Sequence, residues 1–486
     1  MSELILEKNE KQNLPNGWID TVLDYLVLKM SSGTTEIQFK EKTNYPVSRI
    51  ETISNEFVDF DKVQYLKKPS QNIIDKYQLE KGDILFSNIN SDIHLGKTAI
   101  FYDDKLLIHG MNLLLIRPDQ RIIFPKFLNF YFKHYRNLGR FISISQHAVN
   151  QSSINQTKLK SVHFTLPPLN EQKRIIVKIE ELFSLIDSIT KNLKFIQNRL
   201  DIYKNKILIS AFDGTLTTSW RNLNSSESAN DQLKKILSRK KDKSKLKNNS
   251  LGISDLVPTN KYSLYEIPQN WAWCTINTIS KQVTDGEHFN PKYCDKGNLL
   301  LSAKNIRDGF VSYDDVHYVN DDDFEKCLQR CKPELNDILI VSVGATTGRT
   351  AIVKKSTPFV VLRSVLLIKP DSIIPEYLLR YLQSPISSKW LTNASGSTAQ
   401  AHLYIRDTKN FPFPMAPISE QLKIIEILDE QFSKIDFLNS MMLQKIIQLS
   451  KLRQIIIKQA FEGKLVPQDP NDEPASELLK RIKLQN

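Results

Sequence analysis

Leu166–Ile176 reads LPPLNEQKRII, and Met415–Ile425 reads MAPISEQLKII. In each, a proline-bearing segment gives way to Glu-Gln and then to a long run with helical spacing. Asn170 and Ser419 stand where an N-cap is wanted, and Glu171 and Glu420 put negative charge into the first turn, where the helix dipole favours it. Apolar residues then fall at Ile175, Ile179, Leu182, Ile186, Ile189, Leu193, Ile196, Leu200, Tyr203 and Ile207. Their spacing alternates four and three, which is the heptad seam of a coiled coil. The second copy gives Ile424, Leu428, Ile435, Leu438, Met442, Leu449, Leu452 and Ile456, with Gln431 and Lys445 interrupting. Gly214 and Gly463 stand where the helices should stop. Neither helix can bury such a stripe alone, so each is expected to pair with the other.

The duplication extends well beyond the helices. LPNGW at Leu14–Trp18 returns as IPQNW at Ile267–Trp271, and Asp83-Ile-Leu-Phe as Asp337-Ile-Leu-Ile. Gly96-Lys-Thr-Ala-Ile returns as Gly348-Arg-Thr-Ala-Ile, LLLIRPD from Leu113 as VLLIKPD from Val365, and AFDGTLT from Ala211 as AFEGKLV from Ala460. All matches keep their order, as a duplicated unit with loop insertions would. Before each helix lies a stretch of short apolar runs bounded by Gly, Asp, Asn or Pro, which reads as strands. Phe124-Pro-Lys-Phe-Leu and Ile374-Pro-Glu-Tyr-Leu open helical patterns with proline near the start. The fold class is therefore α+β: two pseudo-symmetric globular units, each followed by a long helix. The expected boundaries are 1–165 for the first unit, 166–215 for its helix, 216–262 for a basic linker, 263–414 for the second unit, 415–465 for its helix and 466–486 for a tail.

With 41% hydrophobic and 25% charged residues, the 486-residue chain can bury cores, which excludes wholesale disorder. Its formal charge is +12, hinting at a polyanionic partner, yet half of that excess falls within 220–261 and the two globular stretches are nearly neutral. From Lys234 to Lys247 the linker carries eight Lys or Arg against Asp242, which suits either a nucleic-acid contact or a solvated tether. Four cysteines (Cys274, Cys294, Cys327, Cys331) are too few for a disulfide scaffold. The start MSELILEKNEKQN has no secretory pattern, and no apolar run is long enough to cross a bilayer, so a cytoplasmic protein is expected.

Two differing globular units, each leading into an [LM]-x-P-[LI]-x-EQ-x-x-I helix start and closing on A-F-x-G-x-L, resemble the specificity subunit of type I restriction–modification systems. The tail AFEGKLVPQDPNDEPASELLKRI, the GSTAQ stretch at Gly396–Gln400 and LTTSWR at Leu216–Arg221 fit the same resemblance, which covers nearly the whole chain. It implies two target-recognition domains separated by an antiparallel two-helix coiled coil, each reading one half of a split target in double-stranded DNA. It implies a bacterial or archaeal host and a subunit without turnover of its own. Two methyltransferase subunits would supply S-adenosylmethionine chemistry on adenine N6, and restriction subunits ATP- and Mg-dependent translocation and cleavage. No cofactor is expected on this chain. The helices would also dock the methyltransferase subunits, with Ile175, Ile179, Leu182, Ile186, Ile189, Leu193, Ile424, Leu428, Ile435, Leu438 and Met442 as interface residues.

The residues agree with a non-catalytic role. No [NDS]-P-P-[YFW] tetrapeptide and no G-x-G-x-x-G turn occurs. Gly96-Lys97-Thr98 suggests a phosphate-cradling loop, but the required earlier glycine is Ser91, and the second copy has Arg349 for the lysine. The cysteines could form a zinc site only in the second copy, and no histidine aligns between copies. A self-contained DNA-modifying or cleaving enzyme, and a protein-binding coiled-coil scaffold, are the competing classes.

Base reading requires Arg or Lys for guanine and Asn or Gln for adenine, while positions alike in both copies suit phosphate contact. Lys97 and Thr98, with Arg349 and Thr350, are the first candidates for backbone contact. Gln146, Asn150 and Gln151 in SQHAVNQ, and Ser397, Thr398 and Gln400 in GSTAQ, suit a loop on DNA. A strand pair with Arg49 in one copy, and with Lys304 and Arg307 in the other, forms a third group. Asn88 and Asn90 are suited to adenine, with Ser342 in the corresponding stretch.

Overall fold

The computed structural model describes residues 14–148, 151–224, 227–243, 264–395 and 402–484. The chain divides into two compact units, Met1–Leu193 with Leu443–Asn486, and Lys194–Met442. The division falls inside both long helices, Leu169–Phe212 and Ile418–Phe461, each of 44 residues. Each unit thus holds one α+β domain and half of each helix.

In the first unit a four-stranded antiparallel sheet runs in the order Val27–Ser32, Leu114–Pro118, Ile84–Phe86, Thr98–Ile100. Ile84 and Phe86 pack with Phe127 and Phe132 of helix Pro125–Asn137, whereas Leu85 packs on the opposite face with Leu79, Phe101 and Leu107. Successive strand side chains point to opposite faces, so a sheet covered on both sides needs an unbroken apolar run. That is why DILF lacks polar alternation. The second unit repeats the arrangement with Ser280–Asp285, Val365–Pro370, Ile338–Val341 and Thr350–Ile352, and adds Gly309–Phe310 at the edge. Ile338 and Ile340 face one core, Leu339 and Val341 another. The acidic residue before each central strand is paired: Asp83 with Arg117 at 2.8 Å, and Asp337 with Lys369 at 2.7 Å.

The Glu-Gln dipeptide proves to be a buried junction. The helices begin at Leu169 and Ile418, so Asn170 and Ser419 lie inside the first turn and are not N-caps. The carbonyls of Pro168 and Pro417 accept from Gln172 N and Gln421 N. Gln172 Oε1 accepts from Phe124 N at 3.1 Å, and Gln421 Oε1 from Ile374 N at 2.9 Å, tying each helix start to the domain before it. Trp18 Nε1 donates to Glu171 Oε2 (3.0 Å), as Trp271 Nε1 does to Glu420 Oε2 (2.9 Å). At the far ends, Gly214 and Gly463 hold φ of 84° and 67°, and a Cβ there would meet Pro268 Cγ at 2.3 Å or Pro15 Cγ at 2.4 Å. The A-F-x-G motif therefore lets the helix end abut the entry motif.

The two junctions differ in how the carboxylate is satisfied. Glu420 also accepts from Thr217 Oγ1 (2.7 Å) and Arg221 Nε (2.9 Å), whereas Glu171 Oε1 is buried without a partner. Burial, only partly offset by Trp18 and Arg174, raises the pKa of Glu171 above its ordinary value. A raised pKa means the folded unit binds a proton that the unfolded chain releases, so ionisation costs stability as pH rises through the folded value. Glu171→Gln is therefore expected to melt higher than the unsubstituted protein at pH 7, by a margin that shrinks towards pH 5. Paired thermal melts across that range check it.

Within each unit the helix halves run antiparallel. In the first, Arg453 pairs with Asp187 and stacks on Phe183, while Arg174, nearer the first helix's start, reaches Asp472 beyond the second helix's end. In the second, Lys204 lies over Phe432, and Thr217 beyond the first helix's end meets Glu420 at the second helix's start. Ile175, Ile179, Ile186, Ile424, Leu428, Ile435 and Met442 are buried, and Leu182 and Leu193 are half-buried. Ile189 and Leu438, however, are 38% and 43% exposed, which corrects their assignment to the seam. The half-buried row continues through Thr190, Gln197 and Lys204, and through Asn439, Ile446 and Arg453, one residue on from the apolar row Ile189, Ile196, Tyr203 and from Leu438, Lys445, Leu452. Partners outside the apolar set, such as Asp187 and the Phe183 carbonyl for Arg453, let polar residues occupy the seam. Ile186→Lys is expected to cost about 3 kcal/mol through a buried unpaired charge, and Ile189→Lys less than about 0.5 kcal/mol. Urea unfolding of the two variants separates them.

The linker also differs from a tether. Ala229–Lys243 is a helix whose Ala229, Leu233 and Ile236 enter the second core, and Lys240 Nζ donates to the carbonyls of Asn277 (2.6 Å) and Ser280 (2.8 Å). Lysines on one face hid an apolar stripe on the other. Residues 244–263 lie outside the described residues. The tail holds a matching helix, Ala475–Lys483, with Leu478, Leu479 and Ile482 in the first core. The two helices start alike: Ala229 N donates to Asn270 O and Ala475 N to Gly17 O, both at 2.9 Å.

Candidate nucleic-acid interface

In the first unit the central strand Ile84–Phe86 runs out into a tight turn. Gly96 N donates to Ser87 O and Ser87 N to Lys97 O, both at 2.8 Å, and Ile154 N closes on Asn88 O at 2.8 Å. A small sheet follows, in the order Ile89–Asn90, Gln151–Ser153, Gln146–Ala148. It gathers Asn90, Gln146 and Gln151 beside Asn88 at the mouth of this turn, with Asn90 on the face of Ser152 and Gln146 and Gln151 together on the other face, both exposed. Asn90 is braced by Nδ2 on Ser87 Oγ (3.1 Å), and Asn88 Oδ1 is buried without a partner. Gln156 Nε2 donates to Ser32 Oγ at 3.2 Å, bringing the end of Val27–Ser32 to the same edge. His147 Nδ1 lies 2.8 Å from Ser152 Oγ, which donates to Asp92.

The second unit repeats the backbone of this edge. Gly348 N donates to Val341 O (2.8 Å), Val341 N to Arg349 O (2.9 Å), and Leu403 N to Ser342 O (2.8 Å). Ser342 therefore holds the place of Asn88, and Arg349 that of Lys97. The side chains differ. Exposed here are Arg363, His288, Arg330 and Tyr404, the last stacked on His402 at 4.2 Å. Arg349 is half-buried and makes no side-chain bond among the described residues.

Several expectations need correction. Thr98 and Thr350 are 0% and 1% exposed inside strands, and Ser342 is 1% exposed with Oγ on Arg363 O, so none of the three side chains reaches solvent where DNA would lie. They resemble each other because the strand core demands it. Arg49 lies in a turn, not a strand, with Nη1 on Gln64 Oε1 (2.7 Å) and Gln38 Oε1 (3.2 Å). Lys304 sits in the 3-10 turn Ala303–Asn305, paired with Asp315 at 2.9 Å. Arg307 is exposed, just before the strand that runs parallel to Thr350–Ile352. Lys97 remains half-exposed, although its Nζ donates to Ser54 O at 2.8 Å. Asn150, Ser397, Thr398 and Gln400 lie outside the described residues.

Beside the residues picked from the sequence, the structure places His147, Asp92 and Gln156 in the first unit, and Arg330, Asp285, His288 and Arg363 in the second. One signal was available. Gly33 and Gly286 end the first strand of each sheet, and a Cβ on either would come within 2.1 Å of a neighbouring carbonyl. Among the described residues, no group of three or more His, Cys, Asp or Glu is placed to hold a metal ion. Cys274, Cys327 and Cys331 are buried, and burial raises their thiol pKa values. None of the helices searched among the described residues is long and apolar enough to cross a membrane.

One backbone frame is thus made twice and carries two different sets of hydrogen-bonding side chains. Residues 27–198 and 232–448 both match the family described as type I restriction modification DNA specificity domain, and the chain belongs to that family. Its role is thereby that of a DNA-recognition subunit. A putative type I restriction enzyme MjaX specificity subunit of Methanocaldococcus jannaschii is 43% identical over 190 residues, 39% of this chain and 44% of that protein. The type I restriction enzyme EcoKI specificity subunit of Escherichia coli K12 is 22% identical over 496 residues, 97% of this chain and 96% of the relative. A solved chain from work on assembly and conformational transition of the type I R-M system superposes with a TM-score of 0.67 at 16% identity, covering 93% of this chain and 99% of that one. The HsdS subunit of Thermoanaerobacter tengcongensis gives 0.53 at 16% identity, over 94% and 99%. At those identities the likeness is one of fold.

Proposed function

We propose that each unit reads one half of a bipartite target in double-stranded DNA, and that the chain performs no chemistry itself. The observation that carries this is the repeated edge with different side chains: amides in the first unit, arginines in the second. Amides suit adenine and guanidinium groups suit guanine, so the two half-sites differ. Two methyltransferase subunits then methylate adenine N6 with S-adenosylmethionine, and restriction subunits use ATP and Mg, so this chain itself needs no cofactor. The complex works in the cytoplasm of a bacterial or archaeal host.

The helices support docking of the methyltransferase subunits. Beside the seam, the first unit exposes Leu185, Ile189, Leu443 and Ile455, and the second exposes Phe195, Ile196, Tyr203 and Phe437. Such apolar side chains on otherwise charged helices suit a partner surface. The test is reconstitution. The chain with its methyltransferase subunits and S-adenosylmethionine should methylate a split target, while the chain alone yields no product with metal and DNA. Product from the chain alone, or indiscriminate methylation by the complex, contradicts the reading.

A further inference from the structure

Asp285 and Ser32 occupy the same register position in the two sheets, opposite Leu366 and Leu114 respectively. What each receives is different. Ser32 accepts an amide from Gln156, whereas Asp285 accepts a guanidinium: Arg330 Nε lies 3.2 Å from its Oδ1, and Nη2 bonds the same oxygen. The Gly286 carbonyl lies 3.3 Å from Nε. His288 Nε2 lies 2.8 Å from Asp285 Oδ2 and 3.1 Å from Nη2. Arg330 ends the helix Asp321–Arg330, which is anchored through buried Phe324 and Cys327. A rigid element and an acidic clamp therefore fix the direction of the guanidinium.

The clamp stands at the reading edge. Gly286 N donates to Val365 O (3.0 Å), Ser342 N to Ser364 O (2.8 Å), and Arg363 N to Glu287 O (3.2 Å), joining Asp285–Glu287 to the turn that holds Ser342. Asp285 takes the Nε side of the guanidinium, and Nη1 makes no bond among the described residues. The side chain is 39% exposed against 13% for Asp285, so the acid is sheltered while the cation faces outward. An interior ion pair alone would not need the exposed Nη1 edge.

We propose that Arg330, oriented by Asp285, reads a guanine through the N7 and O6 acceptors of its major-groove edge, in the half-site recognised by the second unit. This rests on the DNA-reading function proposed above. Among the described residues, the first unit has no arginine held at the position of Ser32 in this way.

The test uses the chain assembled with its methyltransferase subunits, on duplexes carrying its mapped target with 7-deazaguanine placed singly at each guanine. The unsubstituted complex should bind about tenfold or more weaker at one guanine, the expectation for loss of one good base contact. Arg330→Ala and Arg330→Lys should erase the response at that position and leave the other guanines unchanged. The lysine variant keeps a cation for Asp285, so its folding is secured independently. Uniform weakening on every duplex with a shallower salt dependence would show a phosphate contact and overturn the proposal, as would an unchanged guanine response. A complex that methylates without sequence choice would instead overturn the DNA-reading function itself.

Discussion

Glu420→Ala is expected to destabilise the second unit by about 3–5 kcal/mol, because it leaves a buried arginine without its counter-ion. Glu420 is fully buried, and its two oxygens serve Arg221, Thr217, Trp271 and Asn270 at 2.7–3.3 Å. Removing the carboxylate strands the Trp271 indole and the Thr217 hydroxyl proton and takes the counter-ion from Arg221, whose side chain is only 18% exposed, too little for water to replace the partner. The matching change in the first unit, Glu171→Ala, strands only the Trp18 indole and removes a poorly satisfied carboxylate, so about 1 kcal/mol is expected. Hydrogen exchange localises the difference. Faster exchange should appear around 205–223 and 264–280 for Glu420→Ala, with the first unit unchanged. Equal costs in the two units would show that the extra partners of Glu420 contribute nothing.

The second large effect concerns specificity. Replacing residues 14–165 with the equivalent region of a relative of different target should change one half of the methylated sequence and leave the other intact. Methylation of the parent target should fall by roughly 10³-fold or more, the scale that separates specific from non-specific binding. The junctions make the exchange feasible, since Trp18–Glu171 and Phe124–Gln172 belong to motifs both copies share. A chimaera that retains the parent target would show that the first domain does not choose the sequence.

The fold was legible in the sequence because its signals are repeated and local. Apolar runs bounded by Gly and Asp became the strands, and the Pro-headed patterns became helices at Pro125 and Pro375. The helix seam was legible to within one residue. Heptad reading selects the apolar row, yet Arg453 and Lys204 enter the seam with polar partners or an aromatic face that sequence cannot assign. The basic helix Ala229–Lys243 was hidden because its six cations outweigh Ala229, Leu233 and Ile236 in composition. Asn90, Gln146 and Gln151 were picked because polar residues in a turn-rich stretch are conspicuous, and the fold gathers them in one small sheet. Thr98 and Thr350 misled, because likeness between copies reports a shared core as readily as a shared phosphate contact. Arg330 could not be found this way. Its clamp joins residues 45 apart in sequence through a strand register that only the folded sheet supplies.

Mapping methylated adenines across the host genome, with and without this gene, tests the central claim most directly. The gene-dependent methylation should fall on one bipartite sequence with two different halves, a guanine in one of them. Methylation that is unchanged by loss of the gene, or a single uninterrupted motif, would contradict it.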